Sequence, residues 1–292
     1  MASIGIRAGA DIAETPGGLV AVLPFALTAA VFGITIAAIT YFILVKLLRL
    51  DSANAGGLAA AFGAVSSATL MVSLALLDSL GIPYEKFVPA LYPFMDSPAI
   101  ITALFLAKLG MARYPQALGA STLKSPTDQK KMSTTIVESF TNSGVYVLLG
   151  SLVIGIIVGP VRLEREMQLF DWMFRGILCL FLLDMGILAA ARLKELKAVS
   201  PLVIPFAIVT ALSTGSLGVL VATHLGLSPG GAFVFSALTA GASYVTVPAA
   251  MRASLPEANP SLYLGTAIGI TFPFNMAIGF PIYLWLAHIL AN

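Results

Sequence analysis

Two short runs of small and hydroxylated residues interrupt otherwise apolar stretches: Gly63-Ala64-Val65-Ser66-Ser67-Ala68-Thr69 and Thr239-Ala240-Gly241-Ala242-Ser243-Tyr244-Val245-Thr246-Val247-Pro248. Glycine weakens a helix and Pro248 lacks a backbone donor, so each run is a place where a helix opens. An opened helix leaves amide and carbonyl groups free. The half-helix that starts at such a break presents N–H groups and a positive dipole end to an anion, while free carbonyls and hydroxyls ligate a cation such as Na⁺. The candidate anion contacts are therefore Gly63, Ala64, Ser66, Ser67 and Thr69 in the first run and Gly241, Ala242, Ser243 and Tyr244 in the second.

Cation candidates come from the few polar groups within apolar stretches, each costly in lipid unless it faces a cavity or a partner. Asp96 lies in Tyr92-Pro93-Phe94-Met95-Asp96-Ser97-Pro98, between prolines that disturb a helix, and Asn275 follows Pro273 in a comparable stretch. With Thr246 they supply the oxygens a hard cation prefers. Asp96 equally suits the N-cap of a half-helix starting at Pro98. Asp184 and Arg175 stand nine residues apart, too far for a pair along one helix, so their partners belong on other helices. Tyr283 and Trp285 fall near the end of a stretch and read as interfacial belt residues. The single Cys179 and two histidines form no metal-ligand cluster, and no cofactor is expected beyond Na⁺ as coupling ion.

The elements that must position these groups are membrane helices. Of 292 residues, 58% are apolar and 10% charged, with mean hydropathy +0.95. A hydrocarbon layer needs about 20 apolar residues per helix, and eight stretches qualify: 19–48, 57–77, 87–109, 139–160, 169–191, 200–226, 230–251 and 262–290. They are too long and too uniformly apolar for barrel strands, so the fold is all-α and integral to the membrane. Eleven of the lysines and arginines fall in loops on one side of these spans and four on the other. The richer side, with the 110–135 loop, is predicted to be cytoplasmic, and both visible termini outside.

The chain also repeats itself. Ile204-Pro205-Phe206-Ala207 answers Leu23-Pro24-Phe25-Ala26 at an offset of 181 residues, which also aligns Met185-Gly186-Ile187 with Ile4-Gly5-Ile6. Gly230-Gly231 answers Gly56-Gly57, and Leu262-Tyr263 answers Leu91-Tyr92. An odd number of spans, five, separates the paired stretches 57–77 and 230–251, so the copies cross the membrane in opposite senses, as in many secondary transporters. The expected units are residues 1–109, with three helices, a linker at 110–138, and residues 139–292, with five. A five-plus-five plan of which about eight helices are present implies a start two helices late, so Met1 need not be the native start. Small residues in membrane helices also serve plain close packing. Two runs at matching positions of an inverted repeat favour broken helices meeting at the midplane.

Several runs carry a resemblance: Gly63-Ala64-Val65-Ser66, Ala90 to Asp96, Phe174-Arg175-Gly176 and Ala258-Asn259-Pro260-Ser261. From about residue 4 onward the chain resembles the sodium-dependent bicarbonate symporters of the cyanobacterial type (SbtA-like permeases, once a domain of unknown function). The resemblance implies ten helices in two inverted repeats and a core domain moving against a gate domain. It also implies a homotrimer in a bacterial inner membrane, bicarbonate and Na⁺ held between two crossed broken helices, and a regulatory protein of the nitrogen-regulator type at the 110–135 loop. It leads one to expect an acid in the second break, where this chain has Tyr244. Na⁺-dependent bicarbonate symport by elevator-like alternating access is the function expected. A carrier of another small anion such as a carboxylate, and a membrane scaffold or sensor without transport, are the alternatives. An enzyme is not expected: no His-Glu-x-x-His run occurs, and His224 and His288 fall at span ends.

Overall fold

The computed structural model describes residues 2–14, 17–113, 143–159, helical positions scattered between 173 and 191, and 202–290. Most of the 110–135 loop and Arg175 lie outside the described residues. Those that are described form helices α1 (Ala2–Glu14), α2 (Gly18–Lys46), α3 (Ser52–Gly63), α4 (Ser67–Leu80) and α5 (Tyr92–Arg113). They continue as α6 (Ser143–Val158), α7 (Val203–His224), α8 (Pro229–Ala240), α9 (Thr246–Ser254) and α10 (Pro260–Leu290). No strand occurs among them. Five segments are long and apolar enough to cross a membrane: Gly18–Lys46, the interrupted Ser52–Leu80, Val88–Ala112, Val203–His224 and Pro260–Leu290.

Local chemistry accounts for the element ends. Asp51 caps α3, its Oδ1 accepting the Asn54 amide at 2.9 Å, which starts that helix five residues before the apolar run predicted at 57–77. Gly81, at φ 66°, closes α4 in the left-handed conformation that favours glycine. Ser228 caps α8, followed by Pro229 at the first helical position, where a missing N–H costs nothing. The expected disturbance at Pro98 is absent, since α5 runs unbroken from Tyr92 to Arg113. Asp96 accordingly lies inside a helix and does not cap one.

Two layers matter for the site. α2 and α5 flank α3, and the absence of a side chain at Gly33 lets α2 approach the Met95 carbonyl of α5. On the other side α7 and α10 flank α8, where Gly215 makes room for the Tyr283 ring. α1 packs along α6 through Gly5 and Gly9 against the backbone of Leu148 and Leu152, and through Gly155 against Ile6. That close approach of backbones is the usual means of joining helices in lipid.

Candidate functional site

The two predicted breaks are real and they touch. α3 ends at Gly63, Ala64 is extended (φ −84°, ψ 152°), and α4 restarts at Ser67 under the Ser66 cap, whose Oγ accepts the Thr69 amide at 3.3 Å. α8 ends at Ala240, Gly241 is extended (φ −71°, ψ 159°), and α9 restarts at Thr246. Pro248 sits in the first turn of α9, where no intrahelical donor is required. The Ser243 amide of the second break donates to the Ala61 carbonyl at the end of α3, at 2.7 Å. A Cβ on Gly241 would stand 3.0 Å from Ser66 Cβ and 3.2 Å from the Ser66 amide nitrogen, so only glycine allows this approach without displacement.

Asp96 closes the crossing. Its Oδ1 accepts the Val65 amide at 3.0 Å and the Thr246 hydroxyl at 3.3 Å, joining one break to the other through a residue of α5. Thr246 is a hub. Its one proton goes to Asp96, so the Ser243 hydroxyl at 2.7 Å donates to it. Asp96 is fully buried, yet Oδ2 has no hydrogen-bond partner among the described residues, and neither does the buried Oγ of Ser97, the next residue on α5. Polar atoms buried in this way are costly. A carboxylate oxygen left free is the kind of ligand a hard cation takes.

Asn275, the third cation candidate, stands elsewhere on the crossing. Its Nδ2 donates to the Ala240 carbonyl at 2.8 Å, which satisfies the C-terminal end of α8, and its Oδ1 accepts from the Tyr283 hydroxyl at 3.2 Å. Tyr283 is fully buried and also donates to the Ala211 carbonyl at 2.8 Å, so it is no belt residue: its hydroxyl is needed inside. Trp285, 63% exposed, does sit on the outer face.

Of the anion candidates, Ala64, Ser66, Thr69, Ala242 and Ser243 are buried at the crossing with Gly63 and Gly241, and Ser67 is partly open. Tyr244 is buried and packs edge-on against Phe272, the ring centroids 6.5 Å apart. The starts of α4 and α9 thus meet with the cap of the first made by a hydroxyl and the second without a side-chain cap. A family model described as the Na⁺-dependent bicarbonate transporter superfamily matches residues 1–288. The chain belongs to that superfamily. No curated protein matches it.

For a Na⁺-dependent bicarbonate transporter superfamily member, several groups at the crossing escape sequence reasoning. Ala61 and Val65 act through their backbone, which no residue type announces. Ser97 and Tyr92 flank Asp96 within the quoted run, and Tyr92 lies four residues before it on the same helix face. That spacing is the signal that could have found it.

Proposed function

We propose that the chain carries bicarbonate with Na⁺ across the membrane by alternating access of elevator type. The observation that carries the reading is the 2.7 Å hydrogen bond from Ser243 to Ala61, because it brings two broken helices together at their breaks. Two half-helix starts, at Ser67 and Thr246, then bring positive dipole ends to one small volume, an arrangement suited to a compact anion. In this reading Gly63, Ala64, Ser66, Ser67, Thr69, Gly241, Ala242, Ser243 and Tyr244 form the anion site. Asp96 and Thr246 offer oxygens to Na⁺, and Asn275 fixes the Ala240 carbonyl at the second break.

The two breaks belong to inverted units at 1–109 and 139–292, joined by a cytoplasmic linker at 110–138, with the visible termini outside a bacterial inner membrane. A homotrimer, with a regulatory protein meeting the 110–135 loop, completes the proposal. Uptake of labelled bicarbonate into proteoliposomes is the test. Uptake that rises with an inward Na⁺ gradient supports symport, and equal uptake with and without Na⁺ rejects the coupling.

A second reading, transport of another small anion such as a carboxylate, is favoured by Tyr244. A buried phenol against Phe272 shapes a less negative and more apolar wall than an acid does. Competition by acetate or formate in the same vesicles separates the two, because a bicarbonate carrier ignores both.

A further inference from the structure

A groove of about 750 Å³ runs between α2 and α7, on a surface the transport site does not use. Its lining extends from Val31 to Leu48 on α2 and from Leu202 to Leu217 on α7. At ~1.5 Å per residue these stretches are about 25 and 22 Å long, most of a ~30 Å hydrocarbon layer. No charged side chain among the described residues lines it. Of the five hydroxyl residues that do, Thr35, Thr40, Thr210, Ser213 and Thr214, the last two are turned to their own helix: Thr214 donates to the Thr210 carbonyl at 2.8 Å and Ser213 to the same carbonyl at 3.0 Å. A few scattered hydroxyls on otherwise apolar walls give a water too few partners to be held in order. In a bilayer such a groove fills with hydrocarbon.

The end of the groove at Leu47 and Leu48 is different in charge. Lys46 and Arg49 bracket these two lining residues, both are exposed, and neither makes an ion pair among the described residues. Arg49 adopts φ 54°, a left-handed conformation in which glycine would be unstrained, and the turn lets the Leu50 amide reach the Leu44 carbonyl at 3.0 Å. An arginine is thus kept at a strained position at the mouth of an apolar groove, one residue after its lining ends. The Lys46 ammonium lies 5.7 Å from the centroid of the Phe42 ring, one turn back on α2.

We propose that this groove is a binding site for an anionic phospholipid, an acyl chain lying between α2 and α7 and the phosphate resting on Lys46 and Arg49. Basic side chains at the end of an interhelical groove are the arrangement that recognises anionic headgroups. The long apolar walls supply the chain site and the two cations the selectivity.

The test places an indole in the groove of the full chain by Val209→Trp, a lining position 63% exposed, with Leu217→Trp, 52% exposed, as an independent second probe. The parent chain, which retains Trp172 and Trp285, supplies the background. Vesicles contain phosphatidylcholine and increasing fractions of phosphatidylglycerol brominated on its acyl chains. Half-maximal quenching is expected at a roughly thirty-fold lower mole fraction than with brominated phosphatidylcholine, the effect of two basic residues on an anionic headgroup. Lys46→Gln with Arg49→Gln removes that difference. Equal quenching by the two lipids, which is ordinary boundary lipid, overturns the proposal. So does quenching by neither, which means that a second copy or another segment of the chain covers the groove.

Discussion

Replacing Asp96 by Asn removes the charge of the buried carboxylate and keeps its shape. The Val65 amide at 3.0 Å and the Thr246 hydroxyl at 3.3 Å both donate to Oδ1, and a carboxamide oxygen accepts from them equally well. The new NH₂ falls where Oδ2 has no partner, so it costs no existing bond. Asp96→Asn is therefore expected to fold with stability within about 1 kcal/mol of the parent, the scale of one ordinary hydrogen bond. Asp96→Ala leaves the Val65 amide buried without an acceptor, a loss of about 1–3 kcal/mol. The two substitutions differ in stability but agree in removing the charge. If that charge holds Na⁺, losing one member of a buried pair costs about 3–5 kcal/mol, or roughly two to four decades in the Na⁺ concentration for half-maximal uptake. Proteoliposome uptake over a Na⁺ series, with denaturant unfolding of both variants, measures the two effects separately. A half-saturation unchanged in a folded Asp96→Asn protein refutes Asp96 as the Na⁺ ligand and leaves it as a brace between the breaks.

Four further outcomes are expected. Gly241→Val sets a branched side chain 3.0 Å from Ser66 Cβ, and the overpacking, about 1–3 kcal/mol, is relieved by parting the breaks; bicarbonate uptake should fall with the protein still folded. Ser66→Ala combined with Ser243→Ala removes a cap worth about 1 kcal/mol and two hydroxyls at the crossing; labelled bicarbonate should no longer bind, and retained affinity returns the runs to close packing alone. Tyr244→Asp restores the acid the resemblance leads one to expect and should shift the competition profile among small anions. Glu85→Ala deletes the acceptor of the Ser228 amide at 2.8 Å and of its hydroxyl at 3.0 Å, which should cost about 2 kcal/mol in unfolding measurements, at about 1 kcal/mol per bond.

The sequence makes the breaks legible because breaking a helix is a local property: glycine, a hydroxyl able to cap, and proline each act on their own backbone. Their meeting is legible only through the repeat, since nothing in Ser243 or Ala61 alone points to the other. What stays hidden is tertiary. Asn275 reads as a cation ligand from its residue type, but both its polar atoms are engaged, with Ala240 and Tyr283. Asn275 lies twelve residues after Tyr263, Asp96 only four after Tyr92, so the two are not equivalent positions of the repeat. The π-helical turns Ala267–Thr271 and Asn275–Gly279 of α10 carry no signature either. A widened turn costs more than an α-turn and persists where packing demands it, frequently at functional sites. The start of α3 is hidden for the opposite reason: Asp51-Ser52-Ala53-Asn54 is polar enough to read as loop and is in fact a cap.

The crossing is braced at more than its centre. Asn54, in the first turn of α3, accepts the Asn259 amide at 2.8 Å, and Asn259 caps the start of α10. Ser228, which caps α8, is held by Glu85 from the loop after α4. Asn54 and Ser228 are equivalent under the register that aligns Gly56 with Gly230. The segment that follows each broken helix therefore seals the start of the other. Such reciprocal polar staples, with the Ser243–Ala61 bond between them, tie the four half-helices at three levels. Half-helices tied in this way cannot slide past each other without breaking all three sets of bonds. In the alternating access proposed above, the motion would therefore be carried by the whole braced unit and not by one half-helix sliding on another.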